Sequence, residues 1–109
     1  MNWHEIRAQG VGRIDRIAGE FDIWTDGSLP FPRFRIKVSE RFGAGFHASP
    51  NVAIKNPSTG NPEWIGGNGA SIEEALQDAL KNFWLELEQN KPSRALTLED
   101  FAWSDPDDF

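Results

Sequence analysis

The sequence predicts an α+β fold in which an antiparallel meander of three to four strands packs against one long helix, over about residues 71–89. Three observations carry that prediction. Apolar residues recur every three or four positions from Ile72 to Leu87, the period of a helix with one buried side. Phe34, Ile36 and Val38 alternate with Arg33, Arg35, Lys37 and Ser39, the period of a half-buried strand. The Gly43-Ala44-Gly45 and Pro57–Pro62 turns join the predicted strands into a meander that feeds the helix.

The helix is the best-marked element. Ser71 followed by Glu74 forms a capping-box pattern, and Glu73 and Glu74 suit the positive end of the helix dipole. Ile72, Ala75, Leu76, Ala79, Leu80, Phe83 and Leu87 fall on one side, with Gln77, Asp78, Lys81 and Glu88 elsewhere. Pro92 cannot continue the helix, which is expected to stop near Asn90. Upstream, Phe46, Ala48, Val52 and Ile54 suggest a second strand after the Gly43-Ala44-Gly45 turn, with Pro50 at a bulge or edge. A third short strand is expected over Glu63 to Ile65, reached through the Pro57–Pro62 turn. Asn2 to Gln9 can form a short helix, so that the fold starts with a short N-terminal helix or strand. Arg16 to Thr25 reads as a strand with Phe21 and Ile23 inward and Glu20 and Asp22 outward. The Asp26-Gly27-Ser28 turn and the Pro30-Phe31-Pro32 link join it to the next strand.

At 109 residues the chain fits one domain with one core, here assigned to residues 1–96, followed by an acidic aromatic tail over 97–109. Apolar content is 39% and charged content 26%, and five Trp and eight Phe supply enough buried area for an ordered fold. The net charge of −6 is unevenly placed. Glu99, Asp100, Asp105, Asp107 and Asp108 give the tail five negative charges and no positive one, which leaves 12 acids against 11 bases in the body. Thr97 can cap a helical turn before Pro106. So many large apolar groups in so short a segment imply that it docks, on its own domain or on a partner. With no cysteine there is neither a disulfide framework nor a thiolate site, and a reducing cytoplasm is the simplest compartment. No run approaches the roughly 18 apolar residues of a membrane span.

Candidate chemistry is sparse. His4 and His47 lie in no metal-ligand spacing and beside no nucleophile motif, and the paired acids Glu73-Glu74 and Asp107-Asp108 suit capping and solvation. The expected protein is therefore not an enzyme and needs no cofactor. Gly66-Gly67-Asn68-Gly69-Ala70-Ser71 leads into the helix N-terminus, where free amides favour an anion, although the glycines also suit a tight strand-to-helix turn. The Arg33, Arg35, Lys37 row can bind a negatively charged nucleotide, or be paired by Glu20 and Asp22 on a neighbouring strand or covered by the acidic tail. The near-neutral body argues against duplex nucleic acid.

At residues 66–84 the stretch GGNGASIEEALQDALKNFW resembles the strand-to-helix segment of HicB-like antitoxin domains, at Gly69, Ser71, Ile72, Glu73, Glu74, Ala75, Leu76, Ala79 and Leu80. The resemblance implies strands followed by a helix packed on the sheet, similar to part of the double-stranded RNA-binding fold. No DNA-binding module follows the helix within these residues, and Glu86 and Glu88 stand where RNA-binding relatives place lysines. DNA-mediated autoregulation and RNA binding are accordingly not carried over.

The leading functional expectation is a non-enzymatic binding protein that inhibits or neutralises a partner with a basic surface, of the antitoxin, immunity or phage counter-defence kind. Its expected contacts are Asp100, Phe101, Trp103, Asp105 and Asp107. The alternative is a sponge for a phosphorylated or cyclic nucleotide, a homodimer, using Arg33, Arg35, Trp64, Gly67, Asn68, Gly69 and Ser71. A third reading is a structural or assembly domain whose tail completes its own core.

Overall fold

A computed structural model of the chain describes residues 2–107 and 109. Strands β1 (Arg16–Trp24), β2 (Arg33–Arg41), β3 (Gly45–Pro50) and β6 (Gly67–Gly69) form an antiparallel sheet in the order β1-β2-β3-β6. Strands β4 (Val52–Lys55), β5 (Pro62–Glu63) and β7 (Phe101–Trp103) form a second antiparallel sheet with β4 in the middle. One helix, α1 (Ile72–Gln89), packs on β6, β3 and β2. The α+β class, the strand meander and the long helix stand as the sequence predicts.

The helix buries the stripe Ala75, Ala79, Phe83 and Leu87, spaced by four residues, against Phe34, Ile36, Val38 and Ala48. Phe83 and Phe34 stack with ring centroids 5.2 Å apart. Ser71 Oγ accepts the Glu74 N–H at 3.1 Å, as a cap requires. Glu74 reaches back to the Ala70 N–H at 2.8 Å, one residue before the position a capping box would give.

Three expectations are corrected. The second strand is two strands: the chain turns at Asn51, so Ala48 belongs to the first sheet and Val52 and Ile54 to the second. Asn51 holds the corner by three bonds. Its N–H donates to the Arg35 carbonyl at 2.9 Å, its side-chain oxygen accepts the Arg35 N–H at 2.9 Å, and its carbonyl accepts the Ser104 N–H at 2.8 Å. The strand expected over Glu63 to Ile65 is displaced. Pro62–Glu63 pairs with β4, while the fourth strand of the main sheet is the Gly67–Gly69 run that reads as a turn. Finally, the expected helix over residues 2–9 is a single 3-10 turn, Trp3–Glu5.

The glycines of β6 have a packing cause. A Cβ on Gly67 would overlap the Ala79 backbone nitrogen and come within 2.7 Å of the Ala75 carbonyl oxygen, and one on Gly69 would come within 2.5 Å of the Ala75 nitrogen. The helix backbone rests directly on this strand. Its side chains also close the strand's outer edge. Asp78 accepts the Asn68 N–H at 2.9 Å, Asn82 donates to the Gly66 carbonyl at 3.0 Å, and Glu74 takes the Ala70 N–H. An edge whose amides and carbonyls are so occupied offers little to an additional strand.

The segment 97–103 is drawn into the body. Phe101, opposite Ile54 in β4, is 3% exposed and meets Phe31 edge-on at 5.0 Å. Phe31, from the rigid Pro30-Phe31-Pro32 link, also meets Phe34, so it joins the two sheets through one continuous core. Residues 101–103 thus dock on their own domain.

Candidate interaction surface

The face of the main sheet opposite the helix carries the polar halves of β1 and β2. Register places Glu20 opposite Lys37, Asp22 opposite Arg35 and Trp24 opposite Arg33. Arg35 lies 3.2 Å from Asp22 and 3.7 Å from Glu20, and Arg33 lies 3.8 Å from Asp22. Each pair is solvent-exposed and contributes at most about 1 kcal/mol, but together the two acids offset the charges of Arg33 and Arg35. The cross-strand pairing weighed from the sequence is present.

The chain beyond β7 crosses this face. Ser104 is fastened to Asn51, and the Phe109 ring sits 4.9 Å from the Lys37 ammonium. Shallow cavities flank the crossing segment: one of about 360 Å³ bordered by Asp22, Arg33, Arg35, Trp103 and Pro106, the other of about 340 Å³ bordered by Lys37, His47, Trp64 and Phe109. At one end stand two aromatic groups with large free surfaces. Trp24 is 68% exposed beneath the Arg33 guanidinium, and Trp103 is 43% exposed with its other side against Phe31.

The five residues expected to contact a partner divide into two groups. Phe101 is core. Asp100 is committed to its own chain: its carboxylate accepts from Arg94 at 2.6 and 2.9 Å and from the Thr97 N–H at 2.8 Å. Trp103, Asp105 and Asp107 remain at the surface, with the Asp105 carboxylate accepting the Asp107 N–H at 3.1 Å.

Arg94, and after it the Thr97 amide, holds the Asp100 carboxyl at about 2, below its ordinary 3.8. A depressed folded-state value contributes stability that is present above the unfolded value and lost as pH falls through the folded one. Wild type is therefore expected to be more stable than Asp100→Asn at about pH 6, with the gap closing between about pH 4 and pH 2. Denaturant midpoints of the two proteins across that range check this, and a gap independent of pH would remove the ion pair as its cause.

The residues of the nucleotide alternative are dispersed. Arg33 lies at the Trp24 end of β2, whereas Gly69 aligns through Phe46 with Glu40 at the other end. Gly67 and Gly69 lie under the helix, and Ser71 is occupied by its cap. The amides of Asn68, Ala70 and Glu74 all donate to side chains of this chain. Trp64 is 51% exposed, beside Lys37 and His47 rather than Arg33 or Arg35. Among the described residues no cluster of three or more His, Cys, Asp or Glu is placed to hold a metal ion, and no helix is long and apolar enough to cross a membrane.

Trp24 is the surface residue that sequence reasoning missed. Its signal was available, because continuing the alternation of β1 past Asp22 puts Trp24 on the outward side. The chain matches no family model, no curated protein and no solved structure.

Proposed function

We propose that the chain is a non-enzymatic binding protein that inhibits or neutralises a partner protein, of the antitoxin, immunity or counter-defence kind. The partner's basic surface would dock on the Trp24 and Trp103 end of the helix-free face. One observation carries this reading: Trp24, against Arg33, and Trp103, on the same cavity as Arg33, are both exposed, and Asp105 and Asp107, which follow Trp103 in the chain, form no ion pair among the described residues. Exposed Trp is the side chain most often responsible for binding energy in an interface, and unpaired acids at its rim attract a cationic surface. The nucleotide reading draws less support, because its arginines are paired and its amides filled. Burial of Phe101 supports the structural reading in part, yet it leaves Trp24 and Trp103 without a role.

The test is retention of a partner from the natural host on the immobilised chain, followed by affinity measurement with that partner purified. Trp103→Ala is expected to weaken binding by about 2 kcal/mol, roughly 30-fold. Asp105→Asn with Asp107→Asn is expected to slow association and flatten its salt dependence. A partner that binds all these variants as it binds wild type would rule out this surface.

A further inference from the structure

A positively charged cavity of this acidic protein lies away from the surface just described. The N-terminal segment folds against the β2–β3 turn, where the His4 ring stacks on Phe42 at 3.7 Å with the planes 3° apart and Trp3 meets His4 edge-on. A cavity of about 350 Å³ opens beside this stack. Arg7, Arg13 and Arg41 border it against a single carboxylate, Asp15, which leaves two positive charges in a chain whose net charge is −6. Glu40, the nearest acid on β2, is taken by Arg16 at 2.6 Å.

The guanidinium groups are held in place yet largely uncommitted. Arg7 donates from one terminal nitrogen to the His4 and Ile6 carbonyls at 3.1 and 3.2 Å, which fixes its fork on the 3-10 turn. Arg13 donates through Nε to Asp15 at 3.1 Å, leaving its terminal nitrogens. The Arg41 side chain donates no hydrogen bond among the described residues; its Nε lies 3.9 Å from Asp15 Oδ1, which is shielded from solvent and itself unmatched. On the helix-free face two acids, Glu20 and Asp22, stand against Arg33 and Arg35, whereas here the single carboxylate of Asp15 lies within 4 Å of both Arg13 and Arg41. Ile6, Val11 and Phe42, all exposed, give the same cavity an apolar wall.

We propose that this pocket binds a small phosphate monoester, with the phosphate held by Arg7, Arg13 and Arg41 and an apolar or aromatic body lying on Ile6, Val11 and Phe42. The two residual positive charges select the anion. A carboxylate would cancel one of the two residual charges, whereas a phosphate monoester carries close to two negative charges at neutral pH and offers three oxygens to converging guanidinium forks. Inorganic phosphate would satisfy the arginines and leave the apolar wall bare. The inference does not rest on the partner-binding reading, and it involves none of the same residues.

The experiment is a titration of the full chain with phenyl phosphate, followed by calorimetry and by the arginine Nε–H resonances, with inorganic phosphate and benzoate in parallel. Phenyl phosphate is expected to saturate one site about tenfold or more tightly than either comparison anion. Arg41→Gln is expected to weaken it by about tenfold or more, and Arg35→Gln to leave it unchanged. Should Arg41→Gln disturb the end of β2, Arg7→Gln, outside both sheets, reports the same contact. Equal binding of all three anions would reduce the pocket to a general cationic patch and overturn the proposal. So would an absence of saturable binding at low salt, or a loss in Arg35→Gln matching that in Arg41→Gln.

Discussion

Gly67→Ala is expected to destabilise the protein by at least about 3 kcal/mol, a large share of the roughly 5–15 kcal/mol that keeps a domain folded. The usual cost of adding one methyl group to a packed core is smaller, because neighbouring side chains change rotamer. Here the obstacles are the Ala79 nitrogen and the Ala75 carbonyl oxygen, both helix backbone, so relief requires the whole of α1 to lift from β6. Lifting it would also break the Asp78 and Asn82 bonds to that strand and open the stack of Phe83 on Phe34. Gly12→Ala supplies the control: nothing lies within 4 Å of its Cβ position, and a change within about 0.5 kcal/mol is expected. Chemical denaturation of both variants decides the matter. A Gly67→Ala midpoint close to wild type would mean that the helix is not seated on the strand.

The same contact explains what was and was not legible in the sequence. The helix announced itself through local signals, namely the Ser71 cap and a stripe of apolar residues at its own period. Strand β2 was legible for the same reason, since its side chains alternate on a half-buried surface. Strand β6 has only Gly67, Asn68 and Gly69, and nothing in those side chains marks a strand. It is a strand because Ala75 and Ala79 leave room for its backbone beneath the helix, a tertiary cause that no local window contains. The one trace is the spacing of Glu74, Asp78 and Asn82, four residues apart, whose polar ends all meet the chain from Gly66 to Ala70. The corner at Asn51 was hidden likewise, because its side-chain oxygen takes the place of a backbone acceptor for Arg35.

The candidate sites divide along the same line. Trp103, Asp105 and Asp107 stay at the surface, while Phe101 and Asp100 are committed to the fold by partners that composition does not reveal. The arginine cavity was missed because Arg41 lies far along the chain from Arg7 and Arg13 and joins them only when the N-terminal segment stacks on Phe42.

Phe101→Ala is expected to cost about 3–5 kcal/mol, the range for truncating a buried phenylalanine. An appendage would behave otherwise, since substitutions on exposed segments usually stay within about 0.5 kcal/mol. Leu98→Ala, three residues earlier and well exposed, is the internal comparison and should fall in that small range. The reason for the difference is the position of Phe101 beneath Phe31, the residue through which the β4 sheet and the β2 sheet share one core. Removing its ring leaves a cavity between the two sheets and weakens the pairing of β7 with β4, whose other neighbour is the two-residue β5. Thermal melts of the two variants against wild type check the contrast, and a small shift for Phe101→Ala would mean that residues 101–103 are not anchored on β4. A large shift has a consequence for the functional experiment. Deleting the acidic segment would then abolish partner binding by unfolding the domain, whatever surface the partner uses. Only substitutions at exposed positions, Trp24, Trp103, Asp105 and Asp107, separate loss of the interface from loss of the fold.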